Sequence, residues 1–251
     1  MPDCTAAAIV AIVRLAAYIV FAATILYAVG FVSNLVVPKS IDSGAEVPLE
    51  TALWIDLALV ALFALQHSLM ARQGFKKWWT RLVPEPLERS AYVLFASLAL
   101  VLLFWQWCPI PTVLWSVEIQ PLALLLQGLA LTGWMTSGAA SMLIDHKSLF
   151  GLTAAKESPF RTPGLYKYVR HPIYFGSLVA FWSTPRMTVG HALFAAAMTA
   201  YIFIGTLLEE RDLVRRFGAA YLRYQRAVPM IVPRLARSQD PLDTADHIES
   251  N

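Results

Sequence analysis

Charge is scarce in this sequence. Asp, Glu, Lys and Arg make up 15% of its 251 residues, against roughly a quarter in soluble domains. A surface solvated on every side is thereby excluded. Cysteine is nearly absent: Cys4 and Cys108 are too few for a disulfide framework and lack metal-ligand spacing, so no metal site is expected. The N-terminus lacks the charged start and small-residue cleavage site of a signal peptide, so the first apolar segment is expected to be uncleaved. No internal repeat is evident. The net charge of +3 is too small to suggest a nucleic-acid partner, and none is expected.

What is present is apolar sequence in long blocks, with a mean hydropathy of +0.55. A span needs about 20 apolar residues, because the hydrocarbon core is ~30 Å thick. Residues 15–37, 52–70, 90–108 and 119–141 meet that length. Residues 172–208 are apolar too, but Pro185 and Arg186 interrupt them, which suggests two passes or a tight hairpin. The fold class predicted is an all-α, polytopic membrane bundle of five or six spans.

The remaining charge is unevenly placed. Arg72, Lys76, Lys77, Arg81 and Arg89 follow the second span, and Lys147, Lys156, Arg161, Lys167 and Arg170 follow the fourth. The loop at 109–118 has no Lys or Arg. The positive-inside rule then places both termini in the cytoplasm of an inner-membrane, multi-pass protein, with an even number of crossings. By segment, residues 1–141 read as N-terminal transmembrane helices and 142–234 as a functional core. Residues 235–251 read as a disordered tail without function.

Polar groups within the apolar blocks narrow the search. Asp56 and His67 share a helical face with Phe63 between them. Gly133, Ser137 and Ser141 form a small-residue stripe, suited to close helix packing. Beyond Glu209, Leu213, Phe217, Tyr221 and Tyr224 form an apolar stripe with arginines mostly off it. That pattern predicts an amphipathic helix on the cytoplasmic surface, ended by Pro229 and Pro233.

The densest group of polar and aromatic residues is "LYKYVRHPIYFGS", residues 165–177. Pro172 suits the first turn of a helix and keeps His171 extended at its mouth. An aromatic and basic belt anchoring a helix end would look the same. However, Glu209 and Glu210 close the next apolar pass, and a hairpin would bring them beside His171 and Tyr174. Tyr201, Gly205 and Glu209 share one face at four-residue spacing, with Gly205 leaving a gap. Such an aromatic-lined niche with a carboxylate suits a water-soluble cofactor carrying hydroxyls and a positive charge.

These stretches, "GLYKYVRHPIYFG" and "EERDLVRRFGAAYLRYQRAVP", resemble the C-terminal half of isoprenylcysteine carboxyl methyltransferase-like membrane enzymes, over roughly residues 158–233. "QHSLMARQGFKKWWTRLVPEPLERSAYVLFASLALVLLFWQW" and "IDHKSLFGL" extend the likeness to the bacterial methanethiol S-methyltransferases over most of residues 50–233. The resemblance implies S-adenosyl-L-methionine as cofactor. It implies cofactor contacts at Tyr166, His171, Pro172, Tyr174 and Glu209, and in the segment Ser158–Arg161 that includes Phe160 and Arg161. The prenyl-cysteine enzymes carry an arginine facing the substrate carboxylate where this chain has Gly205, which argues for a small acceptor without a carboxylate.

The reaction implied is methyl transfer to a small thiol, most simply methanethiol to dimethyl sulfide, at a membrane-embedded site. A thiol is largely protonated at neutral pH, so a base is needed. His146 and His67 are the candidates, since histidine titrates near pH 6.5. Each would look the same if it merely satisfied a helix end. Arg170 is a third candidate, to orient His171, hold the cofactor carboxylate or meet lipid phosphate. A prenyl-cysteine carboxyl methyltransferase and a non-catalytic membrane protein of the NnrU type are the rival readings.

Overall fold

The computed structural model describes residues 4–154 and 159–233. Lys156, Ser158 and the tail at 235–251 lie outside those residues. Among the described residues, five helices are long and apolar enough to cross a membrane: α1 (Cys4–Ser33), α2 (Leu49–Ala71), α4 (Glu88–Gln106), α5 (Gln120–Ile144) and α8 (Val189–Phe217). Shorter helices are α3 (Gln73–Trp79), α6 (His146–Leu149), α7 (Pro172–Trp182) and α9 (Ala219–Ala227). Large apolar residues such as Ile12, Leu26, Trp54, Leu65 and Leu124 point outward, while Thr24, Asp56, Ser97 and Thr206 are buried. A lipid-facing surface requires that inversion. Thr24, Ser97 and Thr206 meet the burial by donating to carbonyls four residues back on their own helices.

Cross-chain contacts sort the helix ends into two layers. On one side Arg14 donates to Pro86 O, Tyr18 meets His146, and Arg72 pairs with Asp212. On the other, Lys39 reaches Trp105 O, and β1 (Val113–Ser116) pairs with β2 (Arg186–Thr188). The first described residues of α1 and the end of α9 therefore lie on the same side.

The 172–208 segment differs from a pair of full helical passes. The α7 helix has 11 residues, so it rises about 16 Å in a core of ~30 Å. Extended chain completes the pass. Residues 183–188 cover up to about 20 Å at ~3.3 Å per residue, and the last three of them pair with β1. Val113 pairs with Thr188, Trp115 with Met187 and Ser116 with Arg186. Pro185, which has no N–H, contributes its carbonyl to Val117 N at 2.8 Å. The all-α membrane bundle is borne out, and a small two-stranded ribbon supplies hydrogen bonds where the short helix stops.

The small-residue stripe packs α5 against α7. A Cβ on Gly133 would meet Gly176 O at 2.5 Å and Ala180 N at 2.7 Å. Ser137 Oγ donates to Ile173 O at 2.7 Å. The stretch after Glu209 departs from the expected single surface helix. It breaks at Gly218, whose φ of 55° favours glycine. Its stripe of Leu213, Phe217, Tyr221 and Tyr224 packs with Phe160 and Val228, so the chain covers that face itself. One core joins Phe31, Phe63 and Phe104 with Phe181, Phe194 and Ile231.

Gly176→Ala should force α5 and α7 apart, because the new methyl meets backbone that cannot rotate away. We expect a loss of about 1–3 kcal/mol, read as a lower thermal midpoint in detergent. Gly205→Ala, with nothing within 4 Å of the added carbon, should hold or raise that midpoint.

Candidate functional site

The site begins with a local constraint. Pro172 opens α7, which leaves His171 in a non-helical conformation at its N-cap. Chain from beyond α9 runs alongside: Arg170 N donates to Pro229 O at 2.9 Å and His171 N to Met230 O at 3.0 Å. These two bonds fix the backbone from which both side chains reach the end of α8.

There Glu210 gathers donors from four residues. Arg170 Nε lies 2.6 Å and His171 Nε2 3.1 Å from its Oε1, and Gln225 Nε2 lies 2.9 Å from its Oε2. Tyr221 OH reaches Oε1 at 3.4 Å. Arg170 Nη2 adds a bond to Oε2, and Nη1 donates to the carbonyls of Gln225 and Val228. Arg170, expected at the reaction, is thus engaged in joining α7, α8 and α9, and it orients His171 only through their shared carboxylate. Its side chain is 10% exposed and that of Glu210 9%.

Glu209 faces differently. Its side chain is 45% exposed, and Oε2 accepts from Tyr174 OH at 2.9 Å. The ring of Tyr174 stacks on His171 at 5.5 Å and 18°. Because Nε2 of His171 meets a carboxylate, which only accepts, that nitrogen carries a proton. Nδ1 turns toward Glu209, 3.9 Å from Oε2. Sequence reasoning placed His171, Tyr174 and Glu209 together, and the structure brings them together.

One turn before Glu209, Gly205 opens the face: a Cβ there would have nothing within 4 Å. One turn deeper, Tyr201 lies edge-on to His67 at 6.2 Å and to Phe63 at 5.6 Å. His67 Nε2 bonds Tyr92 OH at 2.7 Å, while Nδ1 is buried without a partner. His67 therefore borders the same face of α8 as Glu209, from α2.

His146 sits elsewhere. Its Nε2 meets Tyr18 OH at 2.8 Å and its Nδ1 meets Ser141 Oγ at 2.9 Å. Ser141 has a single hydroxyl proton, directed to Gly138 O at 2.7 Å. Nδ1 is therefore the donor and Nε2 the acceptor in the neutral ring. Burial lowers its pKa below the usual histidine value. Both nitrogens are satisfied, and the ring packs against Phe150 and Tyr18, which joins α6 to α1.

The other expected contacts scatter. Tyr166 is buried, with its hydroxyl on Ala140 O at 3.4 Å, so it packs the short turn Gly164–Lys167 against α5. Pro172 is buried at the start of α7. Phe160 packs on Phe217, Tyr221 and Tyr224. Arg161 is exposed. Sequence reasoning passed over Tyr92 and Tyr18, the partners of the two histidines, and did not assign Glu210 its role. A signal for Glu210 existed: an acidic pair at 209–210 faces a basic pair at 170–171, and successive helical residues point about 100° apart.

A half-exposed carboxylate, a stacked His–Tyr pair and open space at Gly205 fit a ligand that carries both positive charge and hydroxyls. Comparison with known proteins bears on which. A family model described as "Protein of unknown function (DUF1295)" matches residues 70–228. Methanethiol S-methyltransferase 1 of Bradyrhizobium diazoefficiens is 54% identical over 228 residues, covering 87% of this chain and 80% of that protein. Methanethiol S-methyltransferase of Mycobacterium tuberculosis is 46% identical over 227 residues, covering 87% and 93%. Nurim of Bos taurus is 33% identical over 202 residues, covering 73% and 72%. No solved structure matches.

Removing the charge at Glu210 leaves a buried guanidinium without its counter-ion. Glu210→Gln should cost about 3–5 kcal/mol, measured by thermal unfolding in detergent. His146 gives a pH dependence. Its folded pKa is depressed, so its contribution is complete above the unfolded value near 6.5 and is lost as pH falls through the folded value. We expect His146→Gln to flatten the decline of thermal stability on the acid side of that value.

Proposed function

The chain belongs to the family of the methanethiol S-methyltransferases, and from that membership we propose that it transfers a methyl group from S-adenosyl-L-methionine to methanethiol, giving dimethyl sulfide, at a site between α2, α7 and α8. The observation that carries the reading is the alignment on α8. Glu209 with Tyr174 and His171 lies at one end, Gly205 opens the middle, and Tyr201 with His67 lies beyond.

Glu209, Tyr174 and His171 would hold the cofactor, which supplies an electrophilic methyl on a sulfonium. Glu209 offers its charge to that cation and its hydroxyls, and the stacked rings offer a π-face. The acceptor thiol loses its S–H proton as its sulfur forms the new bond, so a group on the protein must take that proton. His67 is assigned this role because its Nδ1 is buried and unpartnered, whereas both nitrogens of His146 are bonded. Tyr92 orients the His67 ring through Nε2. Positioning carries much of the rate, since reacting atoms must stand about 3–3.5 Å apart. The apolar walls exclude water, so fixed dipoles replace hydration around the nascent thiolate.

Gly205 carries no side chain to pair with an acceptor carboxylate, which favours a small thiol over a prenyl-cysteine. An acceptor that partitions into lipid also suits a site bordered by membrane-crossing helices. The orientation that fits the loop charges puts both termini in the cytoplasm of the inner membrane, with Glu209 opening toward the cytosolic cofactor pool. A reporter fused at the C-terminus should score cytoplasmic.

Glu209→Ala and Tyr174→Ala should each weaken S-adenosylmethionine binding by about tenfold or more, the range for a charge-assisted hydrogen bond of roughly 1.5–3 kcal/mol. Calorimetry in detergent measures this, and parent affinity in both folded variants would place the cofactor elsewhere. His67→Ala should lower dimethyl sulfide formation by about 10²–10⁴-fold with cofactor affinity retained, and His146→Ala should lower it far less. The reverse order would transfer the base role to His146.

A further inference from the structure

The deep end of the site is closed by rings. Phe63 is 6% exposed and belongs to the central core. Its ring lies 5.3 Å from that of His67 and 5.6 Å from that of Tyr201, tilted by 41° and 68°. Tyr201 stands nearly perpendicular to His67, at 89°. The His67 ring, whose Nδ1 is unpartnered, is therefore bordered by one side chain of α2 and one of α8. Beyond Phe63, α2 continues into packed core at Val60. Open space lies the other way, at Gly205.

We propose that Phe63, closing against Tyr201, is the floor of the acceptor subsite and sets the size limit of the thiol that His67 can deprotonate. This rests on the reading that the chain methylates a small thiol. A thiol whose sulfur meets Nδ1 must direct its carbon chain somewhere. The Gly205 side belongs to the methyl donor, so the chain points at Phe63 and Tyr201. A single methyl fits against the ring edges. A longer chain has to displace a buried ring from close-packed surroundings, which the core resists. The limit is steric, since an apolar wall cannot reject an alkyl chain on any other ground, and a steric limit is removed by removing the wall.

Parent, Phe63→Ala and Phe63→Leu should be compared in membranes with saturating S-adenosylmethionine and equal methanethiol and 1-propanethiol in competition. Dimethyl sulfide and methyl propyl sulfide are read together in the headspace. We expect the product ratio to shift toward methyl propyl sulfide by about tenfold in Phe63→Ala, the lower end of what one or two methylenes decide in a pocket, and by less in Phe63→Leu. If Phe63→Ala does not accumulate, Phe63→Leu, closer to the parent volume, carries the same comparison. A variant that still makes dimethyl sulfide at the parent product ratio overturns the floor at Phe63 and leaves the activity standing. A parent that binds S-adenosylmethionine but methylates neither thiol overturns the activity, and the floor with it.

Discussion

One carboxylate holds together the end of this molecule where α7, α8 and α9 meet. Glu210 receives Arg170, His171, Gln225 and Tyr221, groups from the start of α7 and from α9. Burying an ion pair costs desolvation that attraction alone does not return. The arrangement stands because the remaining donors of Arg170 find the carbonyls of Gln225 and Val228. The niche around Glu209 depends on it. With Glu210 turned inward, its neighbour Glu209 turns about 100° away, toward Tyr174 and the opening. Two adjacent glutamates are thereby divided, one sealed into the frame and one left for a ligand.

The helices and the His171–Glu209 end of the site were legible in the sequence for a physical reason. Apolar runs of bilayer length have few alternatives in lipid, and a proline after His171 pins a helix start to a single residue. The His171–Tyr174–Glu209 group followed from a hairpin that had to bring two helix ends to one level. Less was legible where the outcome depended on contacts between distant segments. The α7 helix is half the expected length because β1, 70 residues earlier in the chain, supplies partners for the extended remainder. The stripe ending at Tyr224 looks like a membrane-surface face until Phe160 is found covering it. His67 and His146 were indistinguishable in one dimension. They separate only through Tyr92, which leaves one nitrogen of His67 unmet, and through Tyr18 and Ser141, which meet both of His146.

The polar interior of the bundle is economical. Hydroxyls of Thr24, Ser97 and Thr206 are satisfied by their own helices, so they impose no geometry between helices. Among the described residues, most hydrogen bonds that cross between elements lie near the helix ends or around the site, with Trp182 Nε1 to Thr199 Oγ1 partway along α8 an exception. Interhelical specificity in the middle of the bilayer rests instead on shape, above all the bare backbone contact of Gly133 with Gly176 and Ala180.

That contact has a consequence for how the protein is made. The α5 helix packs chiefly on α7 and leaves most of its surface uncovered, yet it leaves the ribosome first. Its last residue, Ile144, precedes the end of α7 at Trp182 by 38 positions, about 2–8 s of synthesis at ~5–20 residues per second. For that interval α5 has to reside in lipid as a lone helix, although it is the least apolar of the five. Glycine at 133 adds no side chain to solvate, and a serine hydroxyl such as that of Ser137 can bond to its own helix until the carbonyl of Ile173 arrives. The residues that make the interface close are also ones that wait for it at little cost.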